Sequence, residues 1–157
     1  MPQKVMHGWQ AISGGRGEVY VTWEDTGERE LFASIISLNA DLKISTADVD
    51  CMGDPMKKKK ELGYTIEGSL ECHANTPMFA KAAMKFKNTG AMPRFTFQVT
   101  NDDKGAGIGR QTCILKHCLL ENLPLTKIDA SEDIIKFSTD FSAESFEYPE
   151  TYSNMNA

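Results

Sequence analysis

The sequence predicts a mainly β protein, with antiparallel strands and one flanking α-helix. Apolar and polar residues alternate with a period of two in several separate stretches, which is the mark of half-buried strands. One stretch alone, Thr76 to Gly90, has a helical period. Strands and helices do not alternate along the chain, so the parallel sheet of an α/β protein is excluded. The chain has 157 residues, the size of one domain, and folding at that length buries about 70% of the unfolded surface. With 41% hydrophobic and 25% charged residues, the composition excludes disordered, collagen-like and disulfide-stapled classes.

Residues 1–12 show no clean period and carry Pro2, His7, Gly8 and an isolated Trp9, so they read as an N-terminal arm whose Trp needs a surface to dock on. Residues 13–152 form the domain, and 153–157 a C-terminal tail. Val19, Val21 and Trp23 alternate in the first strand, Asp25-Thr26-Gly27-Glu28 is a turn, and Glu30 to Ala40 reads as the returning strand of a hairpin. Asp41 to Gly63 is a long polar hairpin or loop, broken at Met52-Gly53-Asp54-Pro55 and followed by Lys57, Lys58, Lys59 and Lys60. Loops of this length in a compact domain are usually functional and often reach a partner. In Tyr64 to Cys72 the alternation sets Tyr64, Ile66, Gly68, Leu70 and Cys72 towards the core, leaving Thr65, Glu67, Ser69 and Glu71 on a wet face. The helix has Thr76 as N-cap, Pro77 at its first helical position, an apolar stripe of Phe79, Ala82, Ala83 and Phe86, and Gly90 as its stop. Further strands follow at Phe95 to Thr100, Gln111 to Leu120 and Ile134 to Phe141, with an Asp- and Gly-rich turn at 101–109, a bend at 122–125, a short extension at Thr126 to Asp129 and a frayed tail from Tyr148.

Catalytic chemistry is not legible. His7, His73 and His117 have no acidic partner at a motif spacing, and the glycines of Ser13 to Gly17 precede a strand, whereas a phosphate cradle follows a strand and opens a helix. No cofactor is expected. The four cysteines, Cys51, Cys72, Cys113 and Cys118, are too few for a disulfide framework. Cys113 and Cys118, five apart in a strand, are expected on opposite faces, which argues against a metal site. The net charge of −5 argues against a protein that grips nucleic acid with its whole surface. No stretch approaches the ~20 apolar residues of a spanning helix and the N-terminus lacks an apolar signal segment, so no membrane binding and synthesis in the cytoplasm are expected. The Lys57 to Lys60 run suits a solvated loop, an acidic neighbouring subunit or a phosphate backbone.

Several strings stand in a familiar order. They are Ser13-Gly14 with Glu18-Val19-Tyr20, Val49-Asp50-Cys51-Met52-Gly53, Gly63 to Leu70, and Pro93-Arg94-Phe95-Thr96-Phe97-Gln98-Val99. The closing half adds Gly109-Arg110-Gln111-Thr112, Asp129-Ala130-Ser131, Phe137-Ser138-Thr139-Asp140-Phe141 and Phe146-Glu147-Tyr148-Pro149. From about Ser13 to Tyr152 the chain resembles the tail tube proteins of contractile-tailed phages and of phage-derived particles of Gram-positive bacteria. The N-terminal arm and the lysine run match least.

The resemblance implies a β-sandwich or barrel-like sheet flanked by a helix, hexameric rings, and rings stacked into the inner tube of a contractile phage tail or phage-tail-like bacteriocin. It implies as partners the chain itself, a sheath protein, and baseplate and tape-measure proteins, with DNA only as transient cargo of the lumen in a true phage. Thr65, Glu67, Ser69 and Glu71 would then line the lumen, where the two carboxylates repel a passing phosphate backbone. Trp9, Asp50, Met52, Asp54 and Lys57, Lys58, Lys59 and Lys60 would lie at inter-subunit contacts, the long segment at about 41–63 between subunits or rings. The alternatives are a nucleic-acid-binding β-barrel module and a head-tail joining protein that forms rings without polymerising.

Overall fold

A computed structural model describes residues 5–153. The described residues form eight strands and one α-helix: β1 (Gly17–Trp23), β2 (Arg29–Leu31), β3 (Ile35–Cys51), β4 (Asp54–His73), α1 (Met78–Thr89), β5 (Phe95–Asp102), β6 (Arg110–Leu120), β7 (Lys136–Ala143) and β8 (Ser145–Glu150). The strands pair antiparallel in the order β2-β1-β5-β6-β7-β4-β3, and β8 pairs with β6. The fold is mainly antiparallel β with one helix, as the alternation predicts.

The two halves of the sheet face one another because β6 bends. Its first part pairs with β5, from Asp102 opposite Arg110 to Phe95 opposite Cys118, and its end pairs with β7, with Leu119 and Leu120 opposite Ser142 and Phe141. The bend is a bulge at His117, whose φ of 56° puts a non-glycine residue in the left-handed region. Glu24 holds it: one carboxylate oxygen accepts from the His117 N–H at 2.9 Å and the Thr96 hydroxyl at 2.8 Å, the other meets His117 Nδ1 at 2.9 Å. The extra residue changes the parity of β6. Leu115, Cys118 and Leu120 therefore all reach the core, and Cys113 rests against the same core, so the expected opposite placing of Cys113 and Cys118 does not hold.

The core lies between the two halves and is closed by α1. Val19, Val21 and Trp23 of β1 meet Phe95 and Phe97 of β5, Ile66, Leu70 and Cys72 of β4, and Phe141 of β7. Phe97 and Phe141 join the halves with ring centroids 5.3 Å apart, and Trp23 meets Phe95 edge-on at 4.6 Å. The helix starts at Met78, so Pro77, expected as its first residue, stands in the N-cap place expected for Thr76, while the Thr76 hydroxyl accepts from the Met78 N–H at 3.4 Å; the helix stops at Gly90, whose φ of 75° closes the last turn onto Phe86. It buries Met78, Phe79 and Ala82, but Phe86, expected in its stripe, stays exposed.

Three boundaries differ from the sequence reading, and at 41–63 the structure decides between its two alternatives. The strand expected at Glu30 to Ala40 is broken: β2 pairs with β1 over three residues, Phe32 turns into the core, and β3 leaves for the other half of the sheet. The segment at about 41–63, expected as a polar hairpin or loop, is a hairpin and makes the greater part of β3 and β4, turned at Met52 and Gly53. No strand forms at Thr126 to Asp129. The tail is not frayed from Tyr148, because β8 runs to Glu150 on β6 and Ser153 donates to the Ile108 carbonyl at 2.7 Å; residues 154–157 lie outside the described residues.

Candidate assembly surfaces

The β3–β4 hairpin sets the geometry of the candidate site. Beside β7 it is part of the domain, since β4 pairs with β7 from His73 opposite Lys136 to Ile66 opposite Ala143. Beyond Ile66 only β3 accompanies β4, down to Asp54. Those 12 residues carry the hairpin about 40 Å past the end of β7 at 3.2–3.4 Å per residue. The outer edge of β3, 17 residues long, has no partner among the described residues. Unpaired backbone of that length is a template for another strand.

One face of the hairpin carries the residues assigned to the lumen. Thr65, Glu67, Ser69 and Glu71 stand opposite Lys43, Asp41, Asn39 and Ser37 on β3, and Glu67, Ser69 and Glu71 stand opposite Ser142, Asp140 and Ser138 on β7. The four share a face, as the alternation predicts. Sequence reading missed their neighbours. Lys43 Nζ lies 2.7 Å from Glu67 Oε2, which offsets that charge, and the Ser69 hydroxyl donates to Asn39 Oδ1 at 2.6 Å. The Glu67 carboxylate, by hydrogen bond and charge, holds the Lys43 ammonium above its ordinary pKa. Glu121 and Asp140 join Asp41 and Glu67 around a shallow concavity on this face.

The other face is apolar past the point where the core ends. Leu42, Ile44 and Tyr64 are exposed, and Leu42 lines a groove with Ile66, Leu115, Phe146 and Tyr148. Tyr64, expected in the core, is 59% exposed because no strand of this chain packs over the hairpin at its level. The alternation of Leu38, Ala40, Leu42 and Ile44 with polar residues was the signal for this face.

The tip gathers Asp50, Met52, Asp54 and Lys57 to Lys60. Asp54 pairs with Lys58 at 3.2 Å, Lys59 stands across from Asp48, and Met52 is fully exposed. Trp9 is carried elsewhere, on a 3-10 turn (Gly8–Gln10) that packs against the turn following β5. Its ring is 64% exposed and stacks on His7 with centroids 4.2 Å apart. Ser13 N–H, donating to Asp103 Oδ2 at 3.0 Å, fastens the end of the arm to the domain.

His117, expected without an acidic partner at a motif spacing, meets Glu24 through the fold, and Cys51 is exposed while Cys72 and Cys118 are buried. Burial pushes the Cys118 thiol up to about 12 and Cys72 up to about 11, so both stay protonated at neutral pH. Among the described residues no three His, Cys, Asp or Glu side chains come together to hold a metal, and no helix is long and apolar enough to cross a membrane.

A family profile described as phage tail tube protein matches residues 4–150. The chain belongs to the phage tail tube protein family. Solved structures share the tail tube fold at low identity. A chain of the anti-feeding prophage baseplate aligns with a TM-score of 0.64 at 12% identity, covering 88% of this chain and 94% of that one. A chain of the sheath–tube complex of an extracellular contractile injection system in its extended state gives 0.63 at 14% identity, covering 90% and 93%. The tail tube of SPP1 gives 0.62 at 11% identity, covering 88% and 78%. No curated protein matches the sequence.

Proposed function

We propose that this tail tube protein is a structural subunit whose copies close into six-membered rings, and that the rings stack into the inner tube of a contractile tail or tail-like particle. One observation carries the reading: a 17-residue edge strand, unpaired on its outer side, belongs to a hairpin that leaves its own domain with an apolar face uncovered. An edge of that kind on a free monomer invites indefinite association. In a ring, a head-to-tail contact that closes by rotation uses it once per copy, and a second head-to-tail contact along the axis gives a filament.

In this reading the face of Thr65, Glu67, Ser69 and Glu71 lines the lumen, and the hairpin tip with Asp50, Met52, Asp54 and Lys57 to Lys60 lies between copies. Trp9 docks on a neighbour, since a Trp ring can remove about 200 Å² from water and anchor a contact. The outer wall meets a sheath protein, and the tube ends meet baseplate and tape-measure proteins. DNA passes only as cargo.

Electron microscopy of the purified protein at high concentration tests this. Hollow tubes with six-fold end views are expected. Single rings that never lengthen would favour a head-tail joining protein, and a monomer that binds oligonucleotide with steep salt dependence would favour a nucleic-acid-binding barrel.

A further inference from the structure

The bend of β6 stands at the level where the hairpin leaves its domain. Leu119, just past the bend, pairs with Ser142 of β7, Ser142 with Glu67 of β4, and Glu67 with Asp41 of β3. One pair further on, at Ile66 and Ala143, the pairing of β4 with β7 ends. Within the same few residues β6 changes partner. Lys116 pairs with Ser145 of β8, and its carbonyl accepts from the N–H of Glu144, between β7 and β8, at 3.1 Å.

The bend itself is a bulge held from outside the strand. Two steps along β5, from Phe95 to Phe97, match three along β6, from Cys118 to Leu115, and the extra residue turns the strand. Glycine takes a φ of 56° without strain, yet the residue there is His117. Glu24, which follows β1, holds it at two points: the His117 N–H donates to Oε1 and the ring Nδ1 meets Oε2, both at 2.9 Å. Oε1 also accepts from Thr96 of β5. One carboxylate thus ties β1, β5 and β6 together at the bend.

The angle of the bend matters because the hairpin is long. A turn of about 5° there moves the end of an arm of about 40 Å by about 3.5 Å, close to the rise of one strand residue. A shift of one residue presents the opposite set of side chains to a given neighbour. A ring closes only where every copy offers its contacts at the same rotation. Resting on the tail tube reading, we infer that Glu24 is a positioning residue for assembly: through the His117 bulge it locks the angle between the two halves of the sheet and so aims the hairpin for ring closure. It acts through the bulge alone, whichever surface of a neighbour the hairpin then meets.

Three variants of the full chain and a control test this. Glu24→Ala removes the bonds, Glu24→Asp draws the carboxylate back by one methylene, and Glu24→Gln keeps the length and an accepting oxygen. Val19→Ala, in the core part of β1 away from the bulge, reports the effect of lost stability alone. Glu24→Ala and Glu24→Asp should stay folded by circular dichroism, need at least tenfold more protein to form tubes, and give end views of mixed copy number. Glu24→Gln should restore six-fold tubes at the native concentration, and Val19→Ala should form them despite an equal or larger fall in Tm. Spin labels on Cys51 and on Lys104→Cys, both exposed, in a Cys113→Ser background measure the opening between the hairpin and the β5–β6 turn in the monomer. Their distance distribution should be narrow in the native chain and in Glu24→Gln, and shifted or broadened in Glu24→Ala and Glu24→Asp. Where Glu24→Ala does not fold, Glu24→Asp is read in its place. Native distances or native-like tubes from the folded variant, or equal loss of assembly in Val19→Ala, overturns the inference and leaves the tail tube reading standing. A native chain that forms no tubes overturns the reading, and the inference with it.

Discussion

Glu24 is a single side chain on which the bend of β6 depends. Burial raises its pKa, but the bonds from the His117 ring, the Thr96 hydroxyl and the His117 N–H outweigh burial and hold the carboxyl below its ordinary value of 4.5. Because a carboxylate only accepts, His117 Nδ1 carries the proton in that bond. A carboxyl depressed in the folded state stabilises the fold above its unfolded pKa, and this stability is lost as pH falls through the folded one. Glu24→Gln is therefore expected to cost about 1 kcal/mol at neutral pH, or about 2–4 °C in Tm for a chain of this length. In thermal melts the gap between native and variant should close as pH drops below 4.5; a gap that widens in acid would contradict the role. Gly68 is the second such position. A Cβ there would strike the Asn39 carbonyl on β3 and lie 2.6 Å from Phe141 Cζ, in a place where the Phe141 ring covers the strand. Gly68→Ala is expected to lower stability by about 3 kcal/mol, read as a fall in the denaturation midpoint.

The hairpin is the element that separates folding from assembly. Its base, from Ile66 to His73, is held by β7 and the core, while among the described residues the tip strands pair only with each other. Replacing residues 47–60 by Asn-Gly joins the cross-strand pair Thr46 and Glu61 through a two-residue turn. The shortened chain should fold with a Tm within about 2 °C of the native one, since surface changes away from the core cost about 0.5 kcal/mol or less. It should remain monomeric in sedimentation at concentrations where the native chain forms tubes. Normal tubes would show that the tip makes no contact. The strands at Tyr64 to Cys72 and Phe95 to Thr100 were legible because one face of each is buried by its own chain. The returning strand at Glu30 was misread because both its pieces have strand composition, and only the inward turn of Phe32 divides them. Tyr148 was misread because Phe146 and Tyr148 are half-exposed on an edge strand, where no alternation reports pairing.

At the scale of the molecule, charge is distributed unevenly over a chain with a net charge of −5. On the face assigned to the lumen, Glu67 is offset by Lys43, and Glu71 lies between Ser37 and Ser138. Replacing Glu67 and Glu71 by Lys together should leave tube assembly intact, since neither carboxylate contacts the core, and should turn the lumen wall towards cations. Native tubes should not retain a short polyanion in a pull-down, and the double variant should, with retention falling as salt rises. Failure of the double variant to assemble would place these side chains at a contact between copies.

The sequence by itself determined the class of the fold, the helix with its stop, the alternation of β4, and the residues gathered at the hairpin tip. Each is a local property: a period, a capping residue, or a run of like charge that the chain displays without reference to distant parts. Only the tertiary structure decided that β6 serves both halves of the sheet, that Cys113 and Cys118 share a core, and that Lys43 sits on Glu67. These depend on one bulge and on strand pairings between residues far apart in the chain. A single inserted residue reverses which face every later side chain takes, and composition does not announce it.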